Sequence, residues 1–224
     1  MNTYSTDPNL ADSDGDFVSD GEEIAQGTDP NLTNAQATEK TISFQNGVNR
    51  YTDANMRLLF SMNPYYMYND TWAGRVGEYS GTNRLVIRLD NLLGQIPSEA
   101  TIQSAQLRLF QYVNNGKQEI AVYGLTTPYD QETVCWSSPW REPGTGELDR
   151  DWQALDIATI DRQNDVWRNW DVTPYIEQLL SGERDNFGFL LRARNEANSI
   201  HSRFKCDHDP DEALRPQLEV VYTD

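Results

Sequence analysis

Seven short runs along the chain alternate apolar and polar residues with a period of two: TISFQ from residue 41, RLLFSM from 57, RLVIRL from 84, AQLRLFQY from 105, EIAVYGL from 119, FGFLLRA from 187 and QLEVVYT from 217. Gly, Pro, Asn and Asp punctuate the intervals, so the runs predict strands joined by turns in an antiparallel sandwich. In the run from 105, Leu107 and Leu109 point inward and Arg108 outward, as in a strand with one solvated face. One segment breaks the pattern. In TPYIEQLLSG, Thr173 is a candidate N-cap, Pro174 suits the first turn and Gly182 can close the helix with a positive φ. Ile176, Leu179 and Leu180 form its apolar stripe, so the helix is expected as a lid over one end of the sandwich.

The first 39 residues follow neither period. They hold nine Asp and Glu and no Lys or Arg, more than half of the formal net charge of −17. Within them, Asp12, Asp14, Asp16, Asp20 and Glu23 occupy the first, third, fifth, ninth and twelfth places of a twelve-residue loop, and Val18 stands where a main-chain carbonyl is used. This is the ligand order of an EF-hand-like calcium site, because a hard cation takes several oxygens from alternate positions and a distal Glu. The sixth place departs from that order, with Phe17 in the position usually given to Gly. Like charges about 4 Å apart cost about 4 kcal/mol per pair at an effective dielectric near 20, so a compact loop of this kind calls for a cation. The cofactor expected is Ca2+. TDPNL from residue 6 recurs as TDPNL from residue 28, a spacing of 22 residues; such repetition is the signature of an array.

Length and composition allow one large all-β domain with a small appendage. The organisation read from the chain is a calcium-binding unit at 1–34, a linker at 35–39 and the β-sandwich at 40–224. Mean hydropathy is −0.71 and the pI about 4.4, which argues against a membrane-spanning helix and against nucleic acid as a partner. Cys135 and Cys206 are too few for a disulfide scaffold or a zinc site, and one disulfide or two buried thiols are both open.

Two resemblances follow from longer stretches. DPNLADSDGDFVSDGEEIAQGTDPNL resembles a thrombospondin type 3-like calcium repeat of prokaryotic surface proteins; such units occur in tandem, which implies that the chain is part of a longer one. RLVIRLDNLLGQIPSEATIQSAQLRLFQY, IAVYGLTTPYDQETVCWSSP, WDVTPYIEQLLSGERDNFGFLLRA and RPQLEVVYTD, taken in order, resemble the DNRLRE-type family, secreted jelly-roll-like β-sandwich modules similar to polysaccharide-binding domains and related to archaeal disaggregatase. The resemblance covers about residues 40 to 223. It implies an extracellular or cell-surface location and a polysaccharide partner, including acidic ones.

Candidate ligand residues fall in two groups. NPYYMYNDTW gathers Tyr65, Tyr66, Tyr68 and Trp72 between turn residues, and flat aromatic faces on loops stack on sugar rings; the alternative is that some of these rings fill the core. Arg84, Arg88, Arg108, Arg192 and Arg194 sit at outward phases of several strands, where guanidinium groups either converge on carboxylated sugars or form ordinary surface ion pairs. Trp136, Trp167 and Trp170 read as core; Trp140 and Trp152 flank a Gly-rich loop and read as exposed. Asp207, Asp209, Asp211 and Glu212 offer a second acidic group, with a solvated loop as the alternative. His201 and His208 read as surface residues. No G-x-S-x-G, H-E-x-x-H, P-loop or dinucleotide fingerprint is present.

The leading expectation is a noncatalytic polysaccharide-binding module on a calcium-stabilised spacer. A calcium-dependent structural or adhesive subunit of a surface layer, tubule or filament, assembling through calcium or strand addition, comes second. A polysaccharide hydrolase or lyase comes third.

Overall fold

The computed structural model describes residues 6–7, 9–16, 18–32, 39–45, 54–60, 72–75, 81–90 and 92–223, with the backbone alone for 54–60. The chain divides into two compact units, Met1–Glu39 with Thr223–Asp224 and Lys40–Tyr222.

In the first unit the helix α1 (Asp20–Gln26) starts from a capping box, in which the Ser19 side chain and the Glu22 side chain each take up the other's backbone N–H. This meets two of the donors that a helix start leaves open. The repeated TDPNL segments fold alike. The Asn9 N–H donates to Asp7 Oδ1 at 2.9 Å and the Asn31 N–H to Asp29 Oδ1 at 3.1 Å, while Leu10 and Leu32 each donate to the carbonyl three residues back at 3.0 Å.

Among the described residues the second unit is a curled antiparallel sheet of eleven strands: β1 (Lys40–Gln45), β2 (Ala54–Phe60), β3 (Trp72–Arg75), β4 (Thr82–Leu89), β5 (Thr101–Asn114), β6 (Gln118–Gly124), β7 (Asp156–Ile160), β8 (Val166–Asp171), β9 (Phe189–Ala193), β10 (His201–Phe204) and β11 (Gln217–Thr223). Their order is β1-β11-β5-β10-β3-β4-β9-β6-β7, with β2 paired to β4 and β8 to β5. Each of the seven alternating runs contributes a strand. The four the pattern missed, β3, β7, β8 and β10, have only four to six residues, too few for a period to register.

Alternate residues of the curled sheet meet in one apolar core. Leu85, Ile87, Ile120, Val122 and Leu191 enter it from one arm, and Leu107, Leu109, Trp170, Leu218 and Val220 from the other. Trp170 crosses between the arms: its ring lies edge-on to Phe204 with centroids 6.1 Å apart, and its indole N–H donates to the Ile120 carbonyl at 2.9 Å. Trp170 is wholly buried.

The predicted helix is α2 (Thr173–Leu180), and it buries Tyr175, Ile176 and Leu179. Its end follows expectation: Gly182 has φ 76, and the Gly182 and Glu183 N–H groups return to the Leu179 and Gln178 carbonyls, a Schellman closure. Its start does not. Thr173 is the first helical residue instead of the cap, and Val172 holds the cap position without a side-chain bond. Thr173 Oγ1 accepts the Ala105 N–H at 2.8 Å, and Asp171 accepts from the Thr173 N–H at 2.9 Å. A buried strand donor needs an acceptor, and Thr173 supplies it, tying the helix to β5.

Candidate functional site

Period two decides which side chains face out. On β5 the outward set is Arg108, Phe110 and Tyr112, opposite to the buried Leu107, Leu109 and Gln111. β8 runs alongside, pairing Phe110 with Trp167 and Arg108 with Asn169. The rings of Phe110 and Trp167 meet edge to face with centroids 5.5 Å apart. The Arg108 guanidinium lies 5.1 Å from the Trp167 ring and donates to Glu219 on β11 at 3.0 Å. Lys205 stands 5.3 Å from the Tyr112 ring and pairs with Asp209 at 3.0 Å. Three half-buried aromatics thus form a strip across two adjacent strands, bordered by Arg108, Lys205, Glu219 and the exposed Asn169. Rings fixed in this way offer apolar faces, and the charged border offers hydrogen bonds that fix orientation.

Trp167 was expected in the core and lies outside it. Trp167 and Trp170 are three residues apart in one strand, so period two places them on opposite faces, and Trp170 is the one that fills the interior. The signal that would have found the strip is parity: Phe110 and Tyr112 share the phase of Arg108.

The other arm handles its outward residues differently. Arg84 on β4 and Arg192 on β9 converge on Glu196, with Arg84 Nε and Nη2 donating at 2.8 and 2.7 Å and Arg192 Nη2 at 2.9 Å. Arg84 also donates to the Gly144 carbonyl and lies 5.0 Å from the Trp136 ring. Burial, and then the charge of Arg84, pull the Arg192 guanidinium below its ordinary value, against the pull of Glu196. Arg88 donates to Asp90 at 2.8 Å and to the Tyr129 carbonyl at 2.9 Å, and Arg194 pairs with Glu119 at 3.0 Å. Between Arg84 and Arg88, Val86 and Leu190 join Leu125, Tyr129, Val134 and Trp140 in a second apolar cluster on this side of the sheet. Arg84 and Arg88 therefore pin the 125–150 segment down. Buried Asp149 organises that segment, accepting from Thr127 Oγ1 at 2.7 Å and from the Arg141 and Glu142 N–H groups at 3.1 and 3.2 Å. Trp140 is buried, against expectation, with its indole N–H on the Cys135 carbonyl; Trp152 is 81% exposed, as expected.

Of the aromatic candidates, Tyr65, Tyr66 and Tyr68 lie outside the described residues. Trp72 on β3 is half-buried, with the Arg203 guanidinium 3.6 Å above its ring and His201 stacked beside it, centroids 5.6 Å apart. Its ring is occupied by protein. Cys135 and Cys206 are both free thiols.

In the N-terminal unit the Asp12, Asp14 and Asp16 carboxylates bring oxygens within 4.8 Å of one another. Each also accepts a backbone N–H: Gly15 to Asp12 at 2.8 Å, Asp16 to Asp14 at 3.2 Å and Val18 to Asp16 at 2.8 Å. The sharp turn falls at Gly15, φ 80, two places before the EF-hand position. Phe17 lies outside the described residues. Asp20 turns both oxygens to Ser13, each at 2.7 Å. The Glu23 side chain is wholly buried, and Asp14 Oδ2 is buried without a hydrogen-bond partner among the described residues. Loss of hydration, then repulsion from Asp14 and Asp16, raises the Glu23 carboxyl above its ordinary value; loss of hydration raises Asp14 as well. A donor set of carboxylate oxygens, short of counter-charge and partly dry, fits a hard divalent cation. The second acidic segment is partly paired from within: Asp209 pairs with Lys205, Glu212 with Arg215, Asp207 with His208, and Asp211 accepts the Ala213 N–H at the start of a 3-10 turn.

The profile of carbohydrate-binding module family 96 matches residues 91–222, more than half of the chain and a span that contains β5, β8 and all of β11 but its last residue. No curated protein matches the sequence.

Proposed function

The chain belongs to carbohydrate-binding module family 96, and from that premise we propose that it is a noncatalytic extracellular module holding polysaccharide on the outward face of β5 and β8. The observation that carries the reading is the strip of Trp167, Phe110 and Tyr112 inside the matched span, with Arg108 beside it. Sugar rings stack on the aromatic faces. Arg108 gives the face a preference for carboxylated sugars, since a guanidinium fork matches a carboxylate. Five carboxylates of the sandwich support a noncatalytic role: Glu196, Asp90, Glu219, Asp151 and Glu119 are each occupied by an arginine.

The DNRLRE-type resemblance belongs to the same proposal. So does a calcium-bound N-terminal unit of the thrombospondin type 3-like kind, acting as a spacer outside the cell. Asp12, Asp14, Asp16 and Glu23 supply oxygens, with Val18 offering its carbonyl, and Asp20 holds the loop through Ser13.

Affinity electrophoresis in gels containing neutral or uronic-acid polysaccharides tests the binding face. Trp167→Ala is expected to weaken retention by about tenfold, in line with the loss of one stacking surface, and to leave the melt of the sandwich nearly unchanged. Arg108→Ala weakens retention on the uronic-acid polymers alone. Full retention by both variants overturns the assignment of this face.

A further inference from the structure

A second recess lies on the other arm, away from the aromatic strip. Arg194, just past the end of β9, forms a row there with outward residues of β6 and β7: the Arg194 N–H donates to the Glu119 carbonyl, and Glu119 pairs in register with Thr159. The β5–β6 turn raises Lys117 beside this row, and the loop after β9 raises Asn195 and Asn198, enclosing a cleft of about 360 Å³ with Ile200 in its wall. Gln118 braces it from below, donating to Ser202 Oγ at 2.7 Å and to the Ala73 carbonyl at 3.3 Å.

The cleft has spare hydrogen-bonding capacity. Arg194 and Glu119 satisfy each other at 3.0 Å. Asn195 uses Oδ1 on the Ala197 N–H, and its Nδ2 makes no bond among the described residues. The Asn198 amide, the Thr159 hydroxyl and the Lys117 ammonium stand around the same space with no side-chain partner among the described residues. Side-chain amides present a donor and an acceptor in one plane, the pattern that pairs with neighbouring sugar hydroxyls, and a lone ammonium adds a site for one carboxylate.

We propose that this cleft is a second sugar site, taking a single hexuronate unit with its hydroxyls on Asn195, Asn198 and Thr159 and its carboxylate on Lys117. The proposal rests on the reading of the domain as a glycan binder and adds a second point of attachment. Trp170 reaches from β8 across the core to the Ile120 carbonyl on β6, so the outward faces of these strands point to opposite sides. A domain with both sites bridges two polysaccharide chains.

The test is an amide NMR titration of the whole 15N-labelled chain with galacturonate, its trimer and galactose. The side-chain amide signals of Asn195 and Asn198 are assigned with Asn195→Asp and Asn198→Asp. The indole N–H of Trp167 reports independently on the aromatic strip. Galacturonate is expected to shift the Asn195 and Asn198 signals more strongly than galactose does, and Lys117→Gln to weaken the galacturonate response about tenfold. Asparagine signals that stay still with every sugar, or a Lys117→Gln response equal to that of the unmodified chain, overturn the cleft. If Trp167 alone responds, the cleft falls and the glycan reading stands. If neither reporter responds, both fall.

Discussion

The two units of the chain deal with negative charge in opposite ways. In the sandwich, acids are matched by bases, some near and some distant in sequence: Glu196 with Arg84 and Arg192, Glu219 with Arg108, Asp151 with Arg184, and Asp161 with Arg168. In the N-terminal segment nine acids share 39 residues with no Lys or Arg, and those of the loop converge on one another and on backbone N–H groups. The sandwich answers its half-buried carboxylates with its own arginines, although its Asp and Glu still outnumber its Lys and Arg. The acidic unit has no Lys or Arg of its own, so on the proposal of a bound calcium its stability should follow ions and protons while that of the sandwich should not.

The largest effect that would break this contrast is expected at Glu196. Its pair with Arg84 is mostly buried, with side chains 14% and 11% exposed. Glu196→Gln leaves two guanidinium groups facing each other under the 125–150 segment, and removing one partner of a buried pair costs about 3 kcal/mol. Urea unfolding of the sandwich should show a lower midpoint with an unchanged slope. The triple replacement Arg84→Met, Arg192→Met and Glu196→Met should cost less than the single one, because it leaves no uncompensated charge behind. A loss below about 1 kcal/mol for the single variant would mean that solvent, and not Glu196, balances those arginines.

Next in size is removal of calcium. An ion held at a hundred times its dissociation constant stabilises the state that binds it by about 2.7 kcal/mol. Chelation should raise protease cleavage between residues 12 and 29 and leave the sandwich transition in place. Glu23→Gln should lower the calcium dependence of that cleavage, since a buried ligand loses its charge. Equal cleavage with and without chelator removes the ion from the account.

Much of this contrast could be read before the fold was known, and the unread part has a common cause. The alternation in RLVIRL and AQLRLFQY fixes which side chains point inward, and the spacing of Asp12, Asp14, Asp16 and Glu23 places the acidic loop. Parity applied to Trp167 and Trp170 would have corrected the reading of both as core, because two residues three apart in a strand cannot both enter it. What parity lacks is the identity of neighbours. Arg84 and Glu196 are 112 residues apart and Arg108 and Glu219 are 111 apart. No local pattern tells an arginine that pins a covering segment from one that borders an open face. The difference is made by the 125–150 segment, whose buried Asp149 and second apolar cluster depend on contacts between irregular stretches, where no period exists to be read.

The smallest and most discriminating effect is the response of the acidic unit to pH. Asp14 and Glu23 are raised above their ordinary values of 3.8 and 4.5, first by loss of hydration and, at Glu23, then by repulsion from Asp14, Asp16, Asp20 and Asp12. A carboxyl whose folded value exceeds its unfolded one binds its proton more readily in the folded state, so folding gains as pH falls through the raised value. The chelated unit should therefore become more stable on mild acidification from neutral pH. The calcium-loaded unit should do the reverse, because the same protons compete with the ion for the same oxygens. The amide signals of Asp20–Gln26, followed through thermal melts at a series of pH values with calcium or with chelator, should give slopes of opposite sign. Parallel slopes would mean that the Asp14 and Glu23 carboxyls titrate without reference to a cation, and the acidic unit would then differ from the sandwich in composition alone.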